Sequence, residues 1–91
     1  MKIIQSKKYE RKASKLVAGN KQLLDKLLEV YKMMEEDLFN PKLKTHKLKG
    51  EFRERWSCSL TYDLRIIFRI KEHDKEKVIE LLTMGSHDMV Y

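Results

Sequence analysis

Leu64-Arg65-Ile66-Ile67-Phe68-Arg69-Ile70, then Glu72-His73-Asp74-Lys75-Glu76, then Val78-Ile79-Glu80-Leu81-Leu82, is the stretch that decides the fold. The first run is β-branched and aromatic, with charge confined to Arg65 and Arg69, the composition of a half-buried strand. The middle run is polar throughout and reads as an exposed hairpin loop. The third run is apolar again and returns as the last strand, antiparallel to the first. Upstream, Trp56 to Leu60 alternates large and small side chains, and Lys47-Leu48-Lys49 leads into Gly50, a turn residue. The region from Pro41 onward is therefore a sheet.

Before Asn40-Pro41 the period changes. Leu23, Leu24, Leu27, Leu28, Tyr31 and Met34 recur at three and four residues, which predicts an amphipathic helix over Lys21 to Asp37. Asn20 can cap its start, and proline ends the region because it cannot continue the ladder. Tyr9, Ala13, Leu16 and Val17 share one face of an earlier helix, capped by Ser6 and broken at Gly19-Asn20. Residues 2–5, with Ile3 and Ile4, read as a short strand. The expected class is α+β: an N-terminal strand and a helical hairpin packed on one face of a small antiparallel sheet. Residues 1–91 are expected to form one domain, since either half alone would bury too little core.

The chain is 42% hydrophobic and lacks an apolar run of the length needed to span a bilayer, so a soluble domain without a membrane partner is expected. Met1-Lys2-Ile3-Ile4-Gln5 is charged too early for a signal peptide, and the lone Cys58 has no partner within the chain; a reducing cytoplasm is the simplest setting. Twenty Lys+Arg against 14 Asp+Glu give a net charge of +6. That surplus suits a nucleic acid or an acidic protein, and charge alone does not separate them, nor either from a merely soluble lysine-rich surface.

Three stretches carry candidate chemistry: Thr45 to Gly50, Trp56 to Phe68, and Gly85 to Tyr91. Cleavage of RNA without a metal needs a base for the ribose 2′-hydroxyl, a cation for the charge that builds on phosphate, and an acid for the leaving 5′-oxygen. His46, His87, Arg65 and Arg69 are residue types suited to those tasks. Each has a bland alternative. A solvated loop histidine, a histidine beside an acid, and two arginines on an exposed sheet face give the same pattern without function. Asp63 reads equally as a turn acceptor and Tyr91 as a packing aromatic. No metal site or cofactor is expected: there is no close His/Cys ligand pair and no glycine-rich phosphate loop.

The order His46-Lys47-Leu48-Lys49-Gly50, Trp56-Ser57, Tyr62-Asp63-Leu64-Arg65-Ile66-Ile67-Phe68, Gly85-Ser86-His87-Asp88 and the closing Tyr91 resembles the RelE-like toxins of the RelE/ParE superfamily, nearest to the YafQ and YoeB branches. The resemblance is strongest over residues 42–91. It implies a toxin of a type II toxin–antitoxin system, an mRNA interferase that cuts mRNA on the ribosome by metal-independent acid–base catalysis. It implies a site of His46, Asp63, Arg65, His87 and Tyr91, with His46 as base, Arg65 on the phosphate and His87 as acid, the two histidine roles being exchangeable. Lys44, Lys47, Lys49, Arg53, Arg55 and Arg69 are the residues expected to bind RNA. The implied partners are a cognate antitoxin, mRNA and the ribosomal A site with its rRNA, and promoter DNA only through the antitoxin. Ser59 stands where YafQ-like toxins carry a further histidine. A gyrase inhibitor of the ParE kind, or an RNA-binding homologue without turnover, shares the fold. If the site reading holds, His46, Asp63, Arg65 and His87 ring one basic surface, and truncating Arg65 or His87 costs little stability.

Overall fold

The computed structural model describes residues 1–50 and 54–86. Its elements are β1 (Lys2–Gln5), α1 (Lys7–Val17), α2 (Lys21–Glu36), a 3-10 turn (Pro41–Leu43), β2 (His46–Lys47), β3 (Trp56–Ser59), β4 (Leu64–His73) and β5 (Glu76–Ser86). Each helix begins where a polar side chain can satisfy a free backbone N–H. Ser6 Oγ accepts from Tyr9 N at 3.1 Å and Asn20 Oδ1 from Leu23 N at 3.0 Å. Asn40 does the same for the 3-10 turn, accepting from Lys42 N at 2.9 Å. Between the helices Gly19 takes φ +70°, a left-handed value that a side chain would resist.

The strands form one five-stranded sheet in the order β1-β5-β4-β3-β2. All pairs are antiparallel except one: β1 runs parallel to β5, with Ile3 opposite Ile79. The α+β class holds, and the sheet is mixed at that edge. Four residues with no turn beside them carry no signal of strand direction. The hairpin also differs from expectation. The loop over Glu72–Glu76 tightens to Asp74-Lys75, with φ 50° and 69°, so the strands run on to His73 and Glu76. Two successive positive φ values twist the chain in the sense that hairpin strands favour. A bulge between Ile67 and Phe68 shifts the register against Thr83 and Leu81.

The helices cover one face. Tyr9, Ala13, Leu27, Val30 and Met34 meet Cys58, Ile66, Phe68, Ile79, Leu81 and Met84 in the core. The buried Tyr9 hydroxyl is satisfied by Tyr31 at 2.7 Å, which spares it the cost of an unpaired buried polar group.

Candidate functional site

Residues opposite one another in a sheet point to the same side. His46 is opposite Ser57, Ser57 opposite Ile67, and Ser59 opposite Arg65. Cys58, Ile66 and Phe68 belong to the helix-covered core, so His46, Ser57, Ser59, Arg65, Ile67 and Arg69 take the other face. Strand spacing places the backbones of His46 and Arg65 roughly 12 Å apart, two strands across and two residues along.

His46 is exposed at the start of β2. Its Nδ1 lies 2.8 Å from the carbonyl oxygen of Lys44. A carbonyl only accepts, so Nδ1 carries the proton, and the lone pair of the neutral ring sits on Nε2. The carbonyl is aimed by Lys44, which caps the 3-10 turn in the left-handed region at φ 52° and ψ 39°. Thr45 ties the same loop down by donating to Leu38 O at 2.6 Å.

Arg65 is half-buried. Its Nη1 donates to three carbonyls of the turn before its own strand: Thr61 at 2.9 Å, Tyr62 at 3.0 Å and Leu64 at 3.2 Å. Leu60 N on Leu64 O at 2.9 Å and Leu64 N on Thr61 Oγ1 at 3.2 Å close that turn. No carboxylate pairs with Arg65 among the described residues. Asp63 is exposed in the bend outside β4 and forms no ion pair among the described residues.

Arg69 has a different setting. Its Nε bonds the carboxylate of Glu80, directly opposite on β5, and Lys71 Nζ reaches the same carboxylate at 3.1 Å. Burial opposes ionisation of Glu80, but the hydrogen bonds from Lys71 and Arg69 outweigh it and hold the carboxyl below its ordinary value of 4.5. Lys47 turns away from His46: it is opposite Trp56, and its Nζ sits over the Trp56 ring, 5.6 Å from the centroid. Lys44, Lys49 and Arg55 are exposed along the chain around β2. His87, Tyr91 and Arg53 lie outside the described residues. The one thiol, Cys58, is fully buried and pushed up to about 12 by that burial, against which Arg65 acts weakly; it is no nucleophile at neutral pH. Among the described residues no group of three or more His, Cys, Asp or Glu could hold a metal ion, and no helix is long and apolar enough to cross a membrane.

Two contributors had no trace in the local sequence. The Lys44 carbonyl is a backbone group whose aim depends on one dihedral. Glu80 reads as an exposed strand acid until the hairpin register sets it against Arg69. Had the tight turn at Asp74-Lys75 been placed, counting back from it would have found that pair.

The family model described as bacterial toxin of type II toxin–antitoxin system, YafQ, matches residues 1–91. No curated protein matches the chain. Among solved structures, a conserved hypothetical protein of Helicobacter pylori is 30% identical at TM-score 0.61, covering 100% of this chain and 99% of its own. YafQ of E. coli is 14% identical at TM-score 0.76, covering 98% of this chain and 96% of its own. YafQ in the E. coli DinJ–YafQ complex is 18% identical at TM-score 0.70, with 98% and 96% covered. These neighbours share the arrangement of two helices on a mixed sheet, and the family match spans every element that positions His46 and Arg65. The chain belongs to the YafQ family of bacterial type II toxin–antitoxin toxins, within the RelE-like superfamily.

Proposed function

We propose that this toxin is an endoribonuclease that cuts mRNA on the ribosome, with His46 and Arg65 as its described catalytic groups. The observation that carries the reading is the pairing of a tautomer-fixed histidine with an arginine that has no ion pair among the described residues, on one sheet face. His46 Nε2 takes the proton of the ribose 2′-hydroxyl, and the 2′-oxygen attacks phosphorus. Arg65 turns the guanidinium edge not engaged with the turn carbonyls toward the phosphorane oxygens. The 5′-oxygen leaves with a proton, leaving a 2′,3′-cyclic phosphate on the upstream fragment. His87 is the proposed donor of that proton, and Asp63 and Tyr91 are proposed as further members of the catalytic set. Lys44, Lys49, Arg55 and the +6 charge favour RNA and rRNA. A cognate antitoxin, as in the DinJ–YafQ complex, silences the toxin in the cytoplasm.

The test is induced expression followed by mapping of mRNA 5′ ends, with translation running and with initiation blocked. New ends inside translated frames that vanish with translation are expected. Intact mRNA alongside inhibited supercoiling by gyrase would overturn the nuclease and favour the gyrase-inhibitor reading.

A further inference from the structure

Beside Arg65, on the side toward the helices, lies a cleft of about 410 Å³ between α2, the Pro41–Leu43 turn and the Thr61–Asp63 turn. That volume falls in the range of roughly 300–1,000 Å³ common for small-molecule sites. Lys26, Lys42, Lys44 and Arg65 border it, and Glu29, 3.9 Å from Lys26, is its one carboxylate. Its rim is Tyr62, the most exposed of the large hydrophobic residues described, at 91%. An exposed aromatic on a loose loop would mean little. This one stands on a turn whose carbonyls are held by Arg65 and whose ends are closed by Leu60, Thr61 and Leu64, so the ring is presented on a backbone that is already ordered.

We propose that this cleft is a nucleotide subsite for single-stranded RNA: a base stacks on Tyr62 while Lys26, Lys42 and Lys44 hold the adjoining phosphate. The inference rests on the RNA reading above and extends it to residues of α2. Continuity with Arg65 selects RNA over an acidic peptide. A strand whose scissile phosphate meets Arg65 must continue past it, and the cleft begins at that side chain. Stacking on one ring with lysines along the backbone is the usual means of gripping single strands without reading sequence. The site fixes where the strand lies, and it predicts little base preference.

The experiment is fluorescence anisotropy with a fully 2′-O-methylated RNA hexanucleotide, which binds but cannot be cut because its 2′-oxygen is blocked. Tyr62→Ala weakens binding by about 5- to 150-fold, and Tyr62→Trp restores it. Lys26→Glu and Lys42→Glu each weaken binding and each flatten the log–log salt dependence by about 0.7. Lys75→Glu, on the distant hairpin, leaves affinity unchanged. Failure of the wild type to bind, equal binding by Tyr62→Ala and Lys26→Glu, or a Tyr62→Ala defect confined to a glutamate-rich peptide would each overturn the subsite. The two readings fail separately. A toxin that cleaves mRNA but binds the oligonucleotide without Tyr62 loses only the subsite. One that binds through Tyr62 but never cleaves loses only the nuclease.

Discussion

Arg65 and Arg69 lie four residues apart on one strand and one face, yet the fold treats their charges in opposite ways. Arg69 meets Glu80 across the hairpin, and Lys71 joins the same carboxylate. Among the described residues Arg65 meets only carbonyl oxygens, which orient a guanidinium without cancelling its charge. The face is therefore polarised along β4: Arg65 keeps a charge with no ion pair among the described residues, whereas Arg69 shares the Glu80 carboxylate with Lys71. Same-face spacing alone would have ranked the two arginines equally. The counter-charge one strand away separates them.

The comparison is broken or sharpened most strongly at His46. His46→Ala should slow cleavage by about 100- to 10,000-fold, the usual loss for a positioned acid–base group. Lys44→Gly, which keeps the left-handed turn, should bind RNA more weakly but leave the single-turnover rate at saturation within a few-fold, whereas Lys44→Val, which resists positive φ, should lower that rate as well. Nitrogen chemical shifts of the His46 ring would show the Nε2-unprotonated tautomer in wild type and Lys44→Gly, and a mixture in Lys44→Val.

Arg65→Ala should lose about 100- to 1,000-fold in single-turnover rate. It should also lower stability by about 1–3 kcal/mol, because three carbonyls lose a charged donor. This modifies the expectation that truncation there is nearly free of stability cost. Thermal melts of Arg65→Ala and Arg69→Ala measure it, and Arg65→Lys separates charge from the fork by retaining the first without the second.

The effect at Glu80 is smaller and appears in acid. Its carboxyl titrates lower in the folded chain than its ordinary 4.5, so the folded state binds fewer protons there than the unfolded one. Its contribution to stability is present above that value and is lost as pH falls through the lower folded value. Glu80→Gln should be less stable than wild type at pH 7, with the gap closing below about pH 4. A constant gap from pH 7 to pH 3 in denaturant midpoints would show that the ion pairs contribute nothing.

Much of the frame was legible. Ser6, Asn20 and Asn40 announce the starts of α1, α2 and the 3-10 turn, and the apolar periods of Leu23–Met34 and Leu64–Ile70 give helix and strand because local sterics dominate there. The parallel seat of β1 was not legible, since pairing between Ile3 and Ile79 closes a loop of almost the whole chain and leaves no local mark. At the site, the residue types at 46 and 65 pointed to chemistry, but their shared face depends on β2 register, which only two residues set. Lys47 shows the penalty: one position from His46, it faces Trp56 instead. Lys26 and Tyr62 stayed hidden because nothing in a lysine on a helix or a tyrosine in a turn tells which cleft it will border.

The most direct test is single-turnover cleavage of ribosome-bound mRNA by wild type, Arg65→Ala and Arg69→Ala, each checked for native fold and used at saturating concentration. The absence of an ion pair on Arg65 among the described residues predicts that Arg65→Ala falls by about 100- to 1,000-fold while Arg69→Ala, whose charge is already paired at the surface, stays within roughly 5-fold of wild type. Equal losses in the two variants, or a full rate in Arg65→Ala, would contradict the polarised face and the assignment of Arg65 to the phosphate.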